Sequence, residues 1–195
     1  SYDDAYRRAA AAESLLRAHP DPEAHAFCLA TLAQLQLEET RGDPQESADD
    51  VGRAIQIRDS LGKTSDAFYM ELLETLGGAL DVAKRQREAI NAYHRASAAL
   101  ESSGRGTTME AAVTEHDMAL SLLRLGETAE AERAFHDALI RARQSDPTGR
   151  VPAQPLIHYA DVAMDQADFD SATKYFAVLA AQATADTDRS VSYTH

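Results

Sequence analysis

The sequence has no tryptophan, a single cysteine (Cys28) and few aromatic residues, which make up 6% of its 195 residues. One cysteine excludes a disulfide within the chain and suits a reducing compartment, which predicts a cytoplasmic location. Stretches in which β-branched and polar residues alternate are scarce, which disfavours a β-sheet fold. No apolar run is long enough to cross a bilayer and no segment resembles a secretory signal, so no membrane association is predicted.

Positive charge is also scarce. The 19 lysine and arginine residues are outnumbered by 32 aspartate and glutamate residues, which gives a formal net charge of −13. Proteins that bind nucleic acids or anionic membranes neutralise phosphate groups with clustered cations, so neither partner is predicted. An acidic surface also keeps a protein soluble without any binding role. The charge therefore excludes some partners but does not identify one.

Alanine-rich apolar segments with helical spacing dominate what is present. Hydrophobic residues make up 44% of the chain, and alanine both favours helices and lets them pack closely. Proline, glycine and capping residues separate these segments and predict where helices begin and end. The predicted caps are Asp21, Asp43, Ser65 or Asp66, Thr107 with Glu110, Thr128 and Asp168. The predicted helices span about residues 2–18, 22–40, 44–61, 67–83, 86–102, 108–126, 129–143, 155–166 and 169–183.

The C-terminal residues 184–195 differ from the rest of the chain because they lack helical periodicity. We therefore predict one helical domain over residues 1–183, followed by an irregular tail over residues 184–195. Because residue 2 already lies in a predicted helix, we expect the chain to be part of a longer protein.

A small–large–small pattern recurs at nearly constant spacing. Its positions i, i+4 and i+7 lie on one face of a helix, where small residues beside a bulky one allow close helix crossing. Successive occurrences are 42, 42, 42 and 41 residues apart. This spacing predicts about four stacked helix pairs that follow one leading helix. The occurrences are Ala5/Ala9/Ala12, Ser47/Val51/Ala54, Ala89/Tyr93/Ala96, Ala131/Phe135/Ala138 and Ala172/Phe176/Leu179.

The segment Leu76-Gly77, together with Ala89, Tyr93 and Ala96, resembles the core pattern of the tetratricopeptide repeat (TPR) family. That pattern has Leu-Gly or Leu-Ala on its first helix and Ala-x3-Phe/Tyr-x2-Ala on its second. The resemblance implies an all-α fold, a right-handed α-solenoid of antiparallel helix pairs. The corresponding first-helix places hold Leu32-Ala33, Met118-Ala119 and Tyr159-Ala160.

The length of the repeat is similar to that of one variety of this family. TPR units commonly repeat about every 34 residues, whereas a period of about 42 is similar to the kinesin-light-chain variety, as is the linker Ala-His-Pro-Asp-Pro at residues 18–22. In bacteria such arrays are often attached to Ser/Thr kinases or transcription regulators, so the resemblance implies a regulatory setting. The paired asparagines of the variety are missing, and Thr31, Thr75, Asp117 and His158 stand nearest those places.

No combination of residues supports catalysis, a metal or a cofactor. Gly-Lys-Thr at residues 62–64 lacks the earlier glycine that a phosphate-binding loop needs, and it follows a helix. His25 and Cys28 share a helix face but have no further partner at a metal-ligand spacing. The neighbours Glu-His-Asp at residues 115–117 point in different directions from a helix and cannot act on one proton. The chain is therefore predicted not to be an enzyme, with no metal and no cofactor.

The expected binding surface is the concave side of the solenoid, which first helices line in TPR arrays. Lysine, arginine and asparagine, which clamp chaperone C-termini in this family, are missing from it. Its carboxylates and apolar side chains favour a basic and apolar peptide or helix as partner, although solvated acidic residues would look the same. Self-association is a further possibility. The predicted face consists of Phe27, Gln34, Glu71, Glu74, Asp81, His116, Leu120, Leu123, Gln154, Ile157, Asp161 and Met164.

The sequence therefore predicts a protein–protein interaction module, a scaffold or adaptor, within a larger bacterial signalling or regulatory protein. The alternative is a regulatory domain that senses a peptide or small ligand and controls an attached kinase or transcription regulator. An enclosed pocket in the groove would favour ligand sensing, and an open trough would favour protein binding.

Overall fold

The computed structural model describes residues 2–18, 20–38, 42–146, 148, 150–165 and 168–192 of the chain. In this described part the regular structure consists of nine α-helices without strands, which confirms the predicted all-α fold. The helices are α1 (Tyr2–Ala18), α2 (Pro22–Glu38), α3 (Pro44–Ser60), α4 (Ala67–Val82), α5 (Gln86–Ser102), α6 (Met109–Leu125), α7 (Thr128–Ser145), α8 (Ala153–Asp165) and α9 (Phe169–Ser192).

The helices form two layers. Helices α2/α3, α4/α5, α6/α7 and α8/α9 pack as pairs, and α1 packs on α2. Short loops join the helices within a pair, as in other helical hairpins. The first helices α2, α4, α6 and α8 lie side by side, with contacts from α2 to α4, from α4 to α6 and from α6 to α8. We call these four helices the first-helix layer, and α3, α5, α7 and α9 form the second-helix layer.

Capping side chains fix most helix starts where the sequence predicted them. Asp21 accepts hydrogen bonds from the backbone N–H groups of Glu23 and Ala24, both at 3.1 Å, and Asp43, Asp66 and Asp168 act in the same way. These bonds satisfy donors that the first turn of a helix leaves unpaired. The predicted helix starts after Asp21, Asp43, Asp66 and Asp168 are thereby confirmed.

Two predicted caps are wrong by one residue. The cap of α6 is Thr108 and not Thr107. The Thr108 N–H donates a hydrogen bond to the Arg105 carbonyl, and the Thr108 hydroxyl accepts one from the N–H of Ala111. Thr128 is already the first residue of α7, so Glu127 precedes the helix without a side-chain cap bond. A left-handed Gly126 ends α6 only two residues earlier, which leaves no room for a longer loop.

The small–large–small pattern builds the core between the layers in the internal pairs. Val51, Tyr93 and Phe135, the large residues of three trios, are all buried, as are their small neighbours. Gly77 shows how close the crossing is, since a Cβ atom at this position would lie 2.5 Å from Cε1 of Tyr93. The glycine of Leu76-Gly77 is therefore required by the position of the tyrosine ring.

The last helix departs from the prediction in two ways. Phe176, expected as a buried core residue, is 46% exposed. Tyr175 packs instead against Tyr159, with ring centroids 3.9 Å apart, because among the described residues no further helix covers the side of α9 that Phe176 occupies. The helix also continues to Ser192, where an irregular tail from residue 184 was predicted, and residues 193–195 of that tail lie outside the described residues. No proline or glycine in that stretch stops the helix.

Candidate interaction face on the first helices

The exposed side of the first-helix layer, which we call the first-helix face, carries the side chains that the sequence placed in the groove. On α4, Glu71, Glu74, Gly78 and Asp81 recur at three- and four-residue spacing, so they form one stripe along the helix. The structure divides the predicted residues into two groups. Some are exposed on this face, and others fill the seams between neighbouring first helices.

The seam between α4 and α6 contains two of the predicted carboxylates. Glu74 accepts a hydrogen bond of 2.6 Å from the Thr114 hydroxyl. Asp81 accepts a hydrogen bond of 3.0 Å from Ser121 and forms an ion pair with Arg124. Both carboxylates therefore join adjacent repeats, and Asp81 is already neutralised by a cation of this chain.

The electrostatic environment of Glu74 is unfavourable to its charge. Burial raises the pKa of this carboxyl above its ordinary value, and the negative charges of Glu110 and Asp117 raise it further. The hydrogen bond from Thr114 acts in the opposite direction without cancelling the rise. Glu74 consequently attracts a proton more strongly than an exposed glutamate does.

The seam between α6 and α8 is made by two histidines. The Nε2 atom of His116 lies 2.9 Å from Nδ1 of His158, and the ring planes are only 14° apart. Because the ring centroids are 5.1 Å apart, the rings meet at their nitrogen edges, in the arrangement of an N–H···N hydrogen bond and not of a face-to-face stack. Asp117 lies 3.3 Å from the other nitrogen of His116. The His116 side chain is only 12% exposed. It therefore belongs to the contact between α6 and α8 and adds little to the exposed face.

At the N-terminal end of the face, Phe27 is 65% exposed although it is a large aromatic residue. Its ring lies 5.8 Å from that of Phe68 on α4, with 40° between the ring planes. The Arg58 guanidinium lies 5.4 Å from the centroid of the Phe68 ring. Arg58 is itself buried and forms an ion pair with Asp66. An aromatic pair with a cation behind it therefore borders the first-helix face.

The other predicted residues are distributed along the face. Leu120 and Leu123 are partly buried and pack against the core. Gln34, Glu71 and Asp161 are exposed, and Ile157 is half-buried. Met164 on α8 and Val113 on α6 are 46% and 48% exposed. The side chain of Gln154 lies outside the described residues.

Sequence reasoning missed the partners across the seams, although a signal for them was present. Thr114 follows Glu74 by 40 residues, and Ser121 follows Asp81 by 40 residues. His158 follows His116 by 42 residues. Residues one repeat apart on stacked helices are neighbours, so complementary side chains at these separations point to contacts between repeats.

The contacts bear on two of the short motifs. Glu115 is buried and accepts a hydrogen bond of 2.7 Å from Ser97 on α5, whereas His116 contacts α8, so these two neighbours diverge as predicted. Asp117 lies 3.3 Å from Nδ1 of His116, so the predicted divergence is wrong for this second pair. The Cys28 thiol is buried and lies 3.3 Å from the carbonyl oxygen of Ala9. Burial raises the pKa of this thiol, followed by the charges of Glu13 and Asp50, which makes it a poor nucleophile.

Three cavities lie away from the first-helix face. One of about 580 Å³ is bounded by the loop before α8 and the second half of α9, including Val151 and Gln182. Another of about 520 Å³ lies between the α5–α6 loop and α7. The third, of about 480 Å³, lies between α5 and α7 on the second-helix layer, over Met118 and Leu122. None of these three is a pocket in the groove.

Neither a membrane span nor a metal site is found in the part of the chain that the structure describes. No helix among the described residues is long and apolar enough to span a bilayer. Within the same residues, no group of three or more His, Cys, Asp or Glu side chains is arranged to hold a metal ion.

Comparison with known proteins identifies the fold through structure and not through sequence. No protein-family model matches the chain, and no curated sequence is significantly similar to it. Solved structures are similar to it, and three of them, each matched with a probability of 1.00, show the likeness.

The first is BtubC (BKLC) from P. vanneervenii, with a TM-score of 0.74, 18% identity and coverage of 91% of this chain and 71% of that chain. MamA has a TM-score of 0.70, 19% identity and coverage of 96% and 91%. The third, a set of nearly identical TPR-like repeats described as a kinesin light chain from Podosopora anserina, has a TM-score of 0.75, 13% identity and coverage of 94% and 88%. The chain therefore has the fold of a TPR-like helical solenoid.

Proposed function

We propose that this chain is a protein-interaction module, a scaffold or adaptor, that binds a basic and apolar peptide or helix on its first-helix face. The side chains that this face exposes are the observation that supports the proposal. Phe27, Val113 and Met164 leave apolar side chains exposed on α2, α6 and α8, and the carboxylates of Glu71 and Asp161 are exposed on α4 and α8. Single exposed apolar residues are common, but here they recur on neighbouring helices beside negative charge.

An amphipathic helix with basic residues complements such a surface, because its apolar side chains fill the groove while its cations meet the carboxylates. Solenoids provide extended surfaces of this kind, since each repeat adds one more helix to the same face. Fold by itself does not establish function, so the support comes from the side chains and not from the structural neighbours.

Contacts across the seams engage two of the predicted carboxylates within the chain and leave fewer of them to bind a partner. Glu74 is bonded to Thr114 and Asp81 is paired with Arg124. Glu71 and Asp161 thus become the better candidates for contact with a basic partner. We further propose that the module belongs to a larger cytoplasmic, bacterial signalling or regulatory protein, on the grounds of its repeat of about 42 residues, its alanine-rich composition and its single cysteine.

Ligand sensing remains the second candidate function. It would be supported by an enclosed cavity on the first-helix face, and the three cavities described above lie elsewhere. Their positions give this second function no support, and protein binding is the better proposal.

The proposal can be tested with a labelled amphipathic peptide of about 18 residues, long enough to be helical, built from leucine and lysine. We expect the chain to bind it and to bind a leucine–glutamate peptide much more weakly. Glu71→Lys combined with Asp161→Lys should weaken binding of the lysine peptide at least about tenfold.

The matched control is Asp49→Lys combined with Asp137→Lys, which reverses two exposed carboxylates on the second helices α3 and α7. It changes net charge by the same amount and should leave affinity nearly unchanged. Equal weakening by both double variants would show attraction to net charge alone and would contradict a specific face.

A further inference from the structure

We propose that Phe27, Phe68 and Glu71 form a subsite that binds an arginine side chain of the partner. This inference rests on the proposed function, which it deepens by naming the group that is recognised and the place where it binds.

The first step concerns the exposure of Phe27. Folding buries most large aromatic side chains, yet this ring is 65% exposed while it remains in contact with Phe68. The contact places the two rings in a tilted arrangement at the junction of α2 and α4. An exposed aromatic surface of this kind offers a large contact area to a partner.

The second step concerns charge. Glu71 lies one helical turn after Phe68 on α4, so its side chain stands next to the aromatic pair. It is exposed, and among the described residues no ion pair involves its carboxylate. The nearby Glu23, one turn before Phe27, is already paired with Lys63 and adds little net charge. Glu71 is therefore the carboxylate that remains available beside the rings.

The third step concerns the chemistry that fits both groups. A guanidinium group stacks on an aromatic face and also bonds to a carboxylate through its planar fork of N–H groups. This chain already makes such an arrangement once, because the Arg58 guanidinium lies over Phe68 and is paired with Asp66. The outer surface of Phe27 beside Glu71 offers the same combination to a second guanidinium from outside.

The experiment uses the full chain and two labelled peptides of about 18 residues. One contains leucine and arginine, and in the other neutral citrulline replaces each arginine while keeping its shape. We expect Phe27→Leu, which keeps an apolar side chain but removes the aromatic face, to weaken binding of the arginine peptide about five- to tenfold. Glu71→Gln should have a similar effect, and neither variant should change the weaker binding of the citrulline peptide.

The matched control is Phe176→Leu, which makes the same change at an exposed phenylalanine of the second-helix layer. It should leave the affinity for both peptides unchanged. In NMR spectra of the bound arginine peptide, the side-chain protons of one arginine should shift upfield through the ring current of Phe27, and this shift should vanish in Phe27→Leu.

The possible failures are distinguishable. If Glu71→Lys with Asp161→Lys weakens binding but Phe27→Leu does not, and no upfield shift is seen, the subsite is overturned while the proposed function stands. If the chain binds arginine and citrulline peptides equally and charge reversal has no effect, the proposed function itself fails.

Discussion

Phe135 on α7 and Phe176 on α9 occupy the same place in the sequence repeat but have different surroundings. Phe135 is buried between the layers and contacts His116 on the helix before it and Tyr159 on the helix after it. Phe176 is 46% exposed, and Tyr175 makes the inward contact to Tyr159 instead.

The difference shows that one residue pattern has two outcomes, depending on whether a further repeat packs against it. In α5 and α7 the large residue is covered by its own first helix and by the first helix of the next pair. Helix α9 has a first helix on one side only among the described residues, so its large residue rotates out of the core and the neighbouring tyrosine turns in. Whether the large residue of the pattern is buried thus depends on two adjacent repeats and not on one.

The strongest test of this comparison is to remove each phenylalanine ring in a separate variant. Phe135→Ala should lower the free energy of unfolding by about 3–5 kcal/mol, because it leaves a cavity in a packed core. Phe176→Ala should cost less than about 1 kcal/mol, since its ring is half-exposed. Urea denaturation followed by circular dichroism measures both. Equal losses would contradict the assigned difference between the internal and terminal repeats.

The close crossing in the internal repeats can be tested at adjacent glycines of α4. Gly77→Ala should destabilise the chain by about 1–3 kcal/mol, because the new Cβ would lie 2.5 Å from the buried ring of Tyr93. Gly78→Ala meets no atom within 4 Å and should stabilise the helix by up to about 1 kcal/mol. Thermal melting of the two variants gives the comparison, and a shift of the same sign in both would show that Tyr93 does not limit the crossing.

The link between the terminal pair and its neighbour can be weakened at His158. His158→Ala removes the 2.9 Å hydrogen bond to His116 and should cost about 1 kcal/mol. Amide hydrogen exchange should accelerate in α8 and α9 more than in α4 and α5, because the seam holds the terminal pair. His136→Ala, at an exposed histidine of α7, is the control and should change neither rate. Uniform acceleration along the chain would show that the repeats do not respond separately.

The smallest expected effect concerns the α4–α6 seam and depends on pH. The pKa of Glu74 in the folded chain is raised above its ordinary value of 4.5, so its ionisation opposes folding at neutral pH. Glu74→Gln should therefore stabilise the chain by a few tenths of a kcal/mol at pH 7. The gain should fade as pH falls through the raised folded pKa toward the unfolded value, where both side chains are neutral.

Melting temperatures of wild type and Glu74→Gln between pH 7 and pH 4 provide the measurement. Glu71→Gln, on the same helix but exposed, should show no such gain. A stabilisation by Glu74→Gln that persisted unchanged at pH 4 would show that its cause is not the charge.

The candidate site was predictable in outline but not in its division of roles. Helical spacing placed Glu71, Glu74 and Asp81 on one stripe of α4, and the structure agrees with that stripe. Spacing on one helix says nothing about the helix beside it, so the bonds from Thr114 and Ser121 that engage two of these carboxylates were not foreseen.

The sequence alone determined the helices, most of their caps and the pairing of a large residue with small ones on each second helix. These features depend on local backbone bonding and on the periodicity of one helix, which neighbouring residues specify. Tertiary structure decided which carboxylates stay exposed, which histidines meet, whether Phe135 or Phe176 is covered, and that Phe27 stands exposed beside Phe68. These outcomes depend on contacts between residues about 40 positions apart, which form only when one repeat stacks on the next.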